Sequence, residues 1–368
     1  MTHLNRILAF AFAAPLFAAE LGTLPANLVA HEWGTFTSVA GPTGMPVPWA
    51  AYYGPADLPC FVVRAGLTKG LISGRIVRME TPVLYFYSTR PQTLSVDVKF
   101  PGGFITEWYP NAGHAIGNDI SWDLIHLTPG ETPVFPTGTG ESRYYAARNT
   151  EATPLERNGD REKMLFYRGV GTFPIPLEPK LTADGKIEIR NIGKEPIPFV
   201  MVFENRGGSL GLRTAMNVTG TALMDLPKLG NEVASARDAT LKALVASGLY
   251  VKEAQAMLDT WNDSWFEEGM RVIYILPRAQ VDAVLPLNIQ PAPSEVTRAF
   301  VGRIELLSPT MKQNMETEIA SEDVAGLQKF GRFLLPFAQQ LGISNGVVAV
   351  AKAASELEAR FSSQVCIP

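Results

Sequence analysis

Short apolar runs closed by proline, glycine or Asp-Gly turns fill the chain between residues 83 and 204, and they limit its folds more than any other feature. Residues 83–87 (VLYFY) form a nearly continuous apolar run of buried-strand type. Leu94, Val96, Val98 and Phe100 alternate with polar residues, the period of a half-buried strand. Pro101-Gly102-Gly103 turns the chain, and residues 104–109 return it. In the next segment Trp122, Leu124 and His126 are expected on one face, with Asp123 and Ile125 on the other. Residues 164–167, a hairpin over 177–191 with Asp184-Gly185 at its turn, and residues 198–204 extend the series. The stretch 31–39 adds Phe36, Thr37 and Val39, which suit a strand. So many short strands with frequent turns predict a β-sandwich-like body.

The pattern changes after residue 230. Residues 231–247 read as a helix, with Asn231 as its cap and Gly248 as its stop. Val251, Ala254, Leu258, Trp261 and Trp265 follow at spacings of three and four, an apolar helical stripe. Strand character resumes at 272–276 (VIYIL), 284–289 and 300–306. Ser308 with Pro309 opens a helical tail. There Leu327, Phe330, Leu334, Phe337 and Leu341 form a stripe expected to bend at Pro336, and residues 344–361 form a last helix. The predicted fold is therefore α+β: a β-sandwich-like domain over 31–307, a helical insertion at 231–268, and a helical C-terminal unit over 308–368.

The N-terminus reads as an export signal over residues 1–19. Arg6 supplies the positive region, and residues 7–19 form an apolar stretch too short to span a bilayer. Cleavage is expected after Ala18 or Ala19, or as late as Ala30, which places the mature protein in the periplasm or outside the cell. No later segment is long and apolar enough for a membrane helix. A net charge of −4 with no basic block excludes a nucleic-acid surface. Cys60 and Cys366 are the two cysteines. In an oxidising compartment they permit one disulfide tying the tail to the early chain, worth about 4–5 kcal/mol by loop entropy; two unpaired thiols are the other reading.

Candidate chemistry concentrates in residues 107–126 (EWYPNAGHAIGNDISWDLIH), which hold two of the four histidines. After signal removal His31, His114 and His126 remain, all in the first third of the chain. Three imidazoles with an open position suit a zinc or copper centre, with Glu32 or Asp123 as general base or as the carboxylate that orients a ligand. The expected function is then a metal-dependent, hydrolytic enzyme. Cleavage after Ala30 would make His31 the first residue, able to chelate copper through its amine and ring. The competing expectation is a noncatalytic glycan- or partner-binding protein using Trp108 and Tyr109 as stacking faces. Glu107 with Asp119 or Asp123 would also allow glycosidase chemistry. Gly207-Gly208-Ser209-Leu210-Gly211 matches a hydrolase elbow, but Glu204–Arg206 intervenes before it and no histidine follows, so a glycine turn is expected. Arg168, Arg271, Arg298 and Arg303 lie in or beside strands and are expected to pair with acids.

Four phrases, HEWGTFTSV (31–39), METPVLYFYS (79–88), KMLFYRGVG (163–171) and SWFEEGMRVIYILP (264–277), together resemble a group of exported bacterial proteins of unassigned function. The resemblance covers roughly residues 31–307. It implies no activity, so the site must be argued from this chain's own residues.

Overall fold

The computed structural model describes residues 28–51, 58–65, 76–138, 140–230, 232–343 and 347–362. The expected signal at 1–19, Asn231 and Cys366 lie outside them, and with Cys366 so does the expected Cys60–Cys366 pairing. The chain begins on β1 (Val29–Val39), where HEWGTFTSV was read as a strand. A two-residue β2 (Val63–Arg64) precedes β3 (Val77–Tyr87). The apolar run 83–87 is only the second half of β3. Arg78 and Glu80 give the first half a polar look, yet both are buried.

Next come β4 (Gln92–Lys99), β5 (Gly103–Tyr109), β6 (His114–Ile116) and β7 (Asp119–Leu127). Alternation slips within β7. Leu94 pairs with Ile125 and Val96 with Trp122, so Asp123 and Leu124 together face Ser95 across a bulge. Leu124 takes a φ of 53°. Trp122 and Ile125 therefore both enter the core, while Leu124 and His126 are exposed, in place of the single shared face the alternation predicts.

The series continues with β8 (Leu155–Arg157), β9 (Asp160–Glu162), β10 (Met164–Gly171), the expected hairpin of β11 (Leu177–Leu181) and β12 (Lys186–Asn191), then β13 (Ile197–Arg206), β14 (Ser209–Val218) and β15 (Thr221–Asp225). Arg206 pairs with Ser209 across the two-residue turn Gly207-Gly208. Both turn glycines have positive φ (54° and 86°), which is why a side chain is disfavoured there. The GGSLG stretch is thus a strand-to-strand hairpin, as the glycine-turn reading expects.

Helices α1 (Val233–Ala246) and α2 (Val251–Trp265) form the insertion. They are followed by β16 (Gly269–Ile275), α3 (Arg278–Val284), β17 (Leu287–Gln290) and β18 (Glu295–Leu306). The tail carries α4 (Pro309–Ala320), α5 (Val324–Gln328), α6 (Leu334–Gln340) and α7 (Val348–Ser362). Ser308 caps α4, its side chain accepting from the Met311 N–H. The tail stripe breaks at Gly331 (φ 52°), not at Pro336. Pro336 lies in the first turn of α6, where its missing N–H would be unpaired in any case.

The strands build three sheets. The largest runs β14-β13-β16-β18-β1-β3-β10-β5-β2, a second joins β17-β4-β7-β8-β9 with β6 beside β7, and a third is β11-β12-β15. All pairs in the large sheet are antiparallel except β1 with β18, which run parallel over eleven positions. One face of the large sheet packs on the two smaller sheets, with Phe36, Val200 and Phe300 meeting Val96, Trp122 and Ile189. The other face is covered twice. Trp33, Tyr85, Phe166 and Met201 lie under Trp261 and Trp265 of α2. Val39 and Val170, at the opposite strand ends, lie under Leu334, Phe337 and Val350 of the tail helices. The tail therefore shares an apolar core with the sheet.

A candidate anion-binding cleft on the large sheet

Between the two helical covers, the middle of that sheet face is polar. Strand alternation in β1 carries Trp33 into one apolar cluster and Val39 into the other, leaving Thr35 and Thr37 between them. Register extends this layer sideways. Thr35 lies opposite Glu80 and Thr37 opposite Arg78 on β3. Thr37 also lies opposite Arg303 on β18, and Arg271 of β16 opposite Glu305. Beyond β3, Arg168 of β10 lies opposite Glu107 of β5. A polar row thus crosses six neighbouring strands of this face, charged on each but β1, which supplies the threonines.

A cavity of about 380 Å³ opens over this row. Arg78, Glu80, Arg168 and Glu305 line its floor. Phe330, Phe333, Phe337 and Met311 form an apolar wall from the tail, and Glu267, Glu268, Glu318 and Lys329 stand at its margins. Arg143 closes one side, held 2.8 Å from Asp263.

Two sets of ion pairs hold the floor. In the first, Glu305 takes Arg271 Nε at 2.9 Å and Arg303 Nε at 2.6 Å on the same oxygen. Arg271 also donates to the carbonyls of Trp265, Glu267 and Glu268, fastening the end of α2 to the sheet. Arg303 reaches Ser264 and Glu267. Burial alone would raise the Glu305 carboxyl, but Arg271 and Arg303 overcome it and hold the group below the carboxylate range. The same acids, opposing burial, push Arg303 above its ordinary value, Glu305 first.

The second set centres on Glu80. Arg332, from the short 3-10 turn Gly331–Phe333, approaches Glu80 Oε1 to 2.9 Å, an ion pair without hydrogen-bond alignment. Arg332 is also flanked by the rings of Trp49 and Phe333, 5.2 and 5.1 Å from its guanidinium carbon. Burial opposes ionisation of Glu80, but Arg332, Arg78 and Arg303 outweigh it and hold the carboxyl at about 2. Arg78 donates to the Ala51 carbonyl, and Arg168 donates to Thr81 Oγ1 at 3.1 Å. Burial draws Arg78 below its ordinary value. Glu80 and Glu107 oppose that, while Arg168 and Arg332 add to it. The guanidinium stays protonated, but its charge is poorly compensated.

Among the described residues of the deepest part, the guanidiniums of Arg78, Arg271, Arg303 and Arg332 meet two sequestered carboxylates, Glu80 and Glu305. Glu107 and Glu267 lie at more solvated margins. Desolvated excess charge is costly unless compensated. The cavity therefore presents buried guanidiniums beside a wall of phenyl rings, groups that can take an anion with an apolar body.

No family model matches the chain, and no curated protein matches it. The site must stand on its geometry.

The residues expected to hold zinc or copper do not converge. His31 is fully buried on the α2 side of the large sheet, its Nδ1 2.8 Å from Glu253 Oε2. Glu253 also accepts from the Tyr87 hydroxyl at 2.7 Å and the Tyr250 N–H at 2.8 Å, so His31 ties β1 to the start of α2. His114 and His126 are exposed on the second sheet, with the central core between them and His31. His114 pairs with Ser121, about 17 Å along β7 from His126 at ~3.4 Å per residue. His126 instead contacts Thr93 Oγ1 at 2.9 Å. Among the described residues, no group of three or more His, Cys, Asp or Glu side chains is placed to hold a metal ion. The amine-and-ring copper arrangement also fails to fit. Val29 and Ala30 are paired on both sides in β1, and Leu28 O accepts from Ser294 N at 2.8 Å, so a cut after Ala30 would remove part of the sheet.

The other sequence candidates are likewise dispersed. Glu32 lies between the sheets, fully buried, with Arg298 Nε at 2.5 Å and the Tyr167 hydroxyl as a second donor. It is an internal ion pair and cannot reach Asp123, which is exposed at the β7 bulge on the other sheet. Trp108 and Tyr109 are both buried and point into opposite cores, Tyr109 against Phe61 at 4.7 Å. Neither offers a face to a sugar. Glu107 lies beside Arg168 in the large sheet, whereas Asp119 and Asp123 belong to the second.

The arginines were read in sequence only as partners for acids, which they are, but not as a group. The available signal was charge inside otherwise apolar strands: Arg78-Met79-Glu80, Arg168 after MLFY, Arg271 before VIYI, and Arg303-Ile304-Glu305. The stretches 31–39, 79–88, 163–171 and 264–277 all run through this layer. They supply Thr35 and Thr37, Glu80, Arg168, and the segment Ser264–Arg271.

Proposed function

We propose that this protein binds a small anionic molecule, a carboxylate, phosphate or sulfate carried on an apolar body, in the arginine-floored cleft. Binding without turnover fits the lining best. Its guanidiniums and phenyl rings recognise, and its buried carboxylates Glu80 and Glu305 are committed to arginines. The observation that carries the reading is the convergence of Arg78, Arg303 and Arg332 on the Glu80 carboxylate at the cavity floor, with Arg168 beside Arg78.

Calorimetric titration of the purified full chain with benzoate, phenyl phosphate and inorganic phosphate at low salt tests it. At least one anion is expected to bind, more weakly as salt rises. Arg168→Ala should weaken binding tenfold to a hundredfold, since a hydrogen bond to a charged group contributes about 1.5–3 kcal/mol. Unchanged far-UV circular dichroism would show that the variant is folded. Failure of all three anions to bind, or wild-type affinity in the folded variant, would overturn the proposal.

We further infer export, from the composition of residues 1–19, and a Cys60–Cys366 disulfide, from the even cysteine count in an oxidising compartment. Cleavage after Ala18 or Ala19 leaves β1 whole. Mass spectrometry of the mature N-terminus and non-reducing peptide mapping test the two inferences.

A further inference from the structure

The cleft is not cationic throughout. Its tail side carries Glu318 of α4 and Glu268, with Asp323 close to Glu318; the opposing cation is Lys329. Gly326 leaves the room that permits this crowding. A Cβ there would lie 2.7 Å from Asp323 Oδ2 and 2.8 Å from Glu318 Cδ. Asp323 is pinned by its cap bond from the Gly326 N–H at 3.0 Å. Burial, then Asp323 and Glu268, push the Glu318 carboxyl up, against Lys329.

Among the buried carboxylate oxygens of the lining residues, Glu318 Oε2 on the tail side accepts no hydrogen bond, whereas Glu80 Oε1 on the floor is already ion-paired with Arg332 at 2.9 Å. A ligand that brings only acceptors would satisfy the arginines and leave the Glu318 carboxylate without a donor. The acidic end calls for a donor, and its excess of negative charge favours one that is positive. The phenyl rings of Phe330, Phe333 and Phe337 lie along the same cavity.

Resting on the anion-binding reading above, we propose that the ligand is a zwitterion of the amino-acid class: its carboxylate on Arg78 and Arg168, its ammonium toward Glu318 and Glu268, and an apolar side chain against the phenylalanines. The floor selects the acid, the tail selects the amine, and the wall between them selects side chains that are not charged.

An isosteric series separates the terms. 3-Phenylpropionate carries the acid alone, 3-phenyllactate adds a neutral donor, and L-phenylalanine adds the ammonium. Titrated into the full chain at pH 7, L-phenylalanine should bind at least tenfold more tightly than either of the others. Glu318→Gln should erase that advantage while leaving the affinity for 3-phenylpropionate within twofold. Glu268→Gln, at an exposed rim position, should reduce it in the same direction. If 3-phenylpropionate or 3-phenyllactate binds as tightly as L-phenylalanine, or the advantage survives in Glu318→Gln, the zwitterion is overturned while the anion site stands. The same holds if benzoate or phosphate binds and none of the three does. If no anion of either panel binds, the anion site itself falls, and this inference with it.

Discussion

Glu80→Gln separates a structural ion pair from a ligand site, because the two roles move in opposite directions. In the folded protein the Glu80 carboxyl is held at about 2 by Arg332, Arg78 and Arg303, against an ordinary value of 4.5. Its folded value is depressed, so the stability it contributes is present above about pH 4.5 and is lost as the pH falls toward 2. A gap of about 2.5 units at about 1.36 kcal/mol each gives roughly 3 kcal/mol at pH 7. This agrees with the lower end of the roughly 3–5 kcal/mol lost when one partner of a buried pair is removed. At about 2.1 cal/mol/K per residue, a 368-residue chain has an unfolding entropy near 0.8 kcal/mol/K, so the variant should melt about 4 °C lower at pH 7. Urea unfolding of both proteins between pH 7 and pH 3 should show the difference shrinking below about pH 4.5. Glu80 also occupies the arginines that an incoming anion needs. The less stable variant should therefore bind benzoate more tightly than the wild type. A stability difference independent of pH would refute the electrostatic assignment. A loss of benzoate affinity would refute Glu80 as the anion's competitor.

Three further outcomes follow from burial and exposure. A Cβ on Gly302 would lie 2.0 Å from Tyr274 Cε1 in the buried neighbouring strand; Gly302→Ala should cost about 1–3 kcal/mol, read as a lower calorimetric melting temperature with the strand content retained. His31→Ala leaves Glu253 without one of its buried partners and should cost about 1–3 kcal/mol. The exposed pair His114→Ala, His126→Ala should stay within about 0.5 kcal/mol per site and leave zinc and copper content unchanged. A double variant that lost bound metal would restore the metal-centre reading.

Much of the fold was legible because periodicity and burial agree along most of the chain. The α2 stripe ending in Trp261 and Trp265, the Ser308-Pro309 helix start and the Asp184-Gly185 hairpin all appear as read. Errors arose where one residue changes the local rule. The bulge at Asp123-Leu124 reverses the faces of β7, and left-handed Gly331 ends a helix that the apolar stripe continues through. The site was less legible for a different reason. Histidines are rare and chemically versatile, yet their positions on different sheets cannot be deduced from spacing. The arginines of the cleft come from strands up to 225 positions apart, Arg78 and Arg303 on either side of Thr37. What unites them is lateral register, and register across nine strands is a property of the assembled sheet.

The parallel pairing of β1 with β18 has a bearing on how the chain reaches its native state. Glu32 and Arg298, bonded across that pair, are 266 positions apart. The large sheet therefore cannot be finished while synthesis is still short of its last quarter, and contacts of such long range form slowly. Until then the first strand has one neighbour and one bare edge, open to any extended segment it meets. A nascent or clipped polypeptide that stops before Glu295 has nothing of its own to seal that edge, and the strand of another molecule is the readiest substitute.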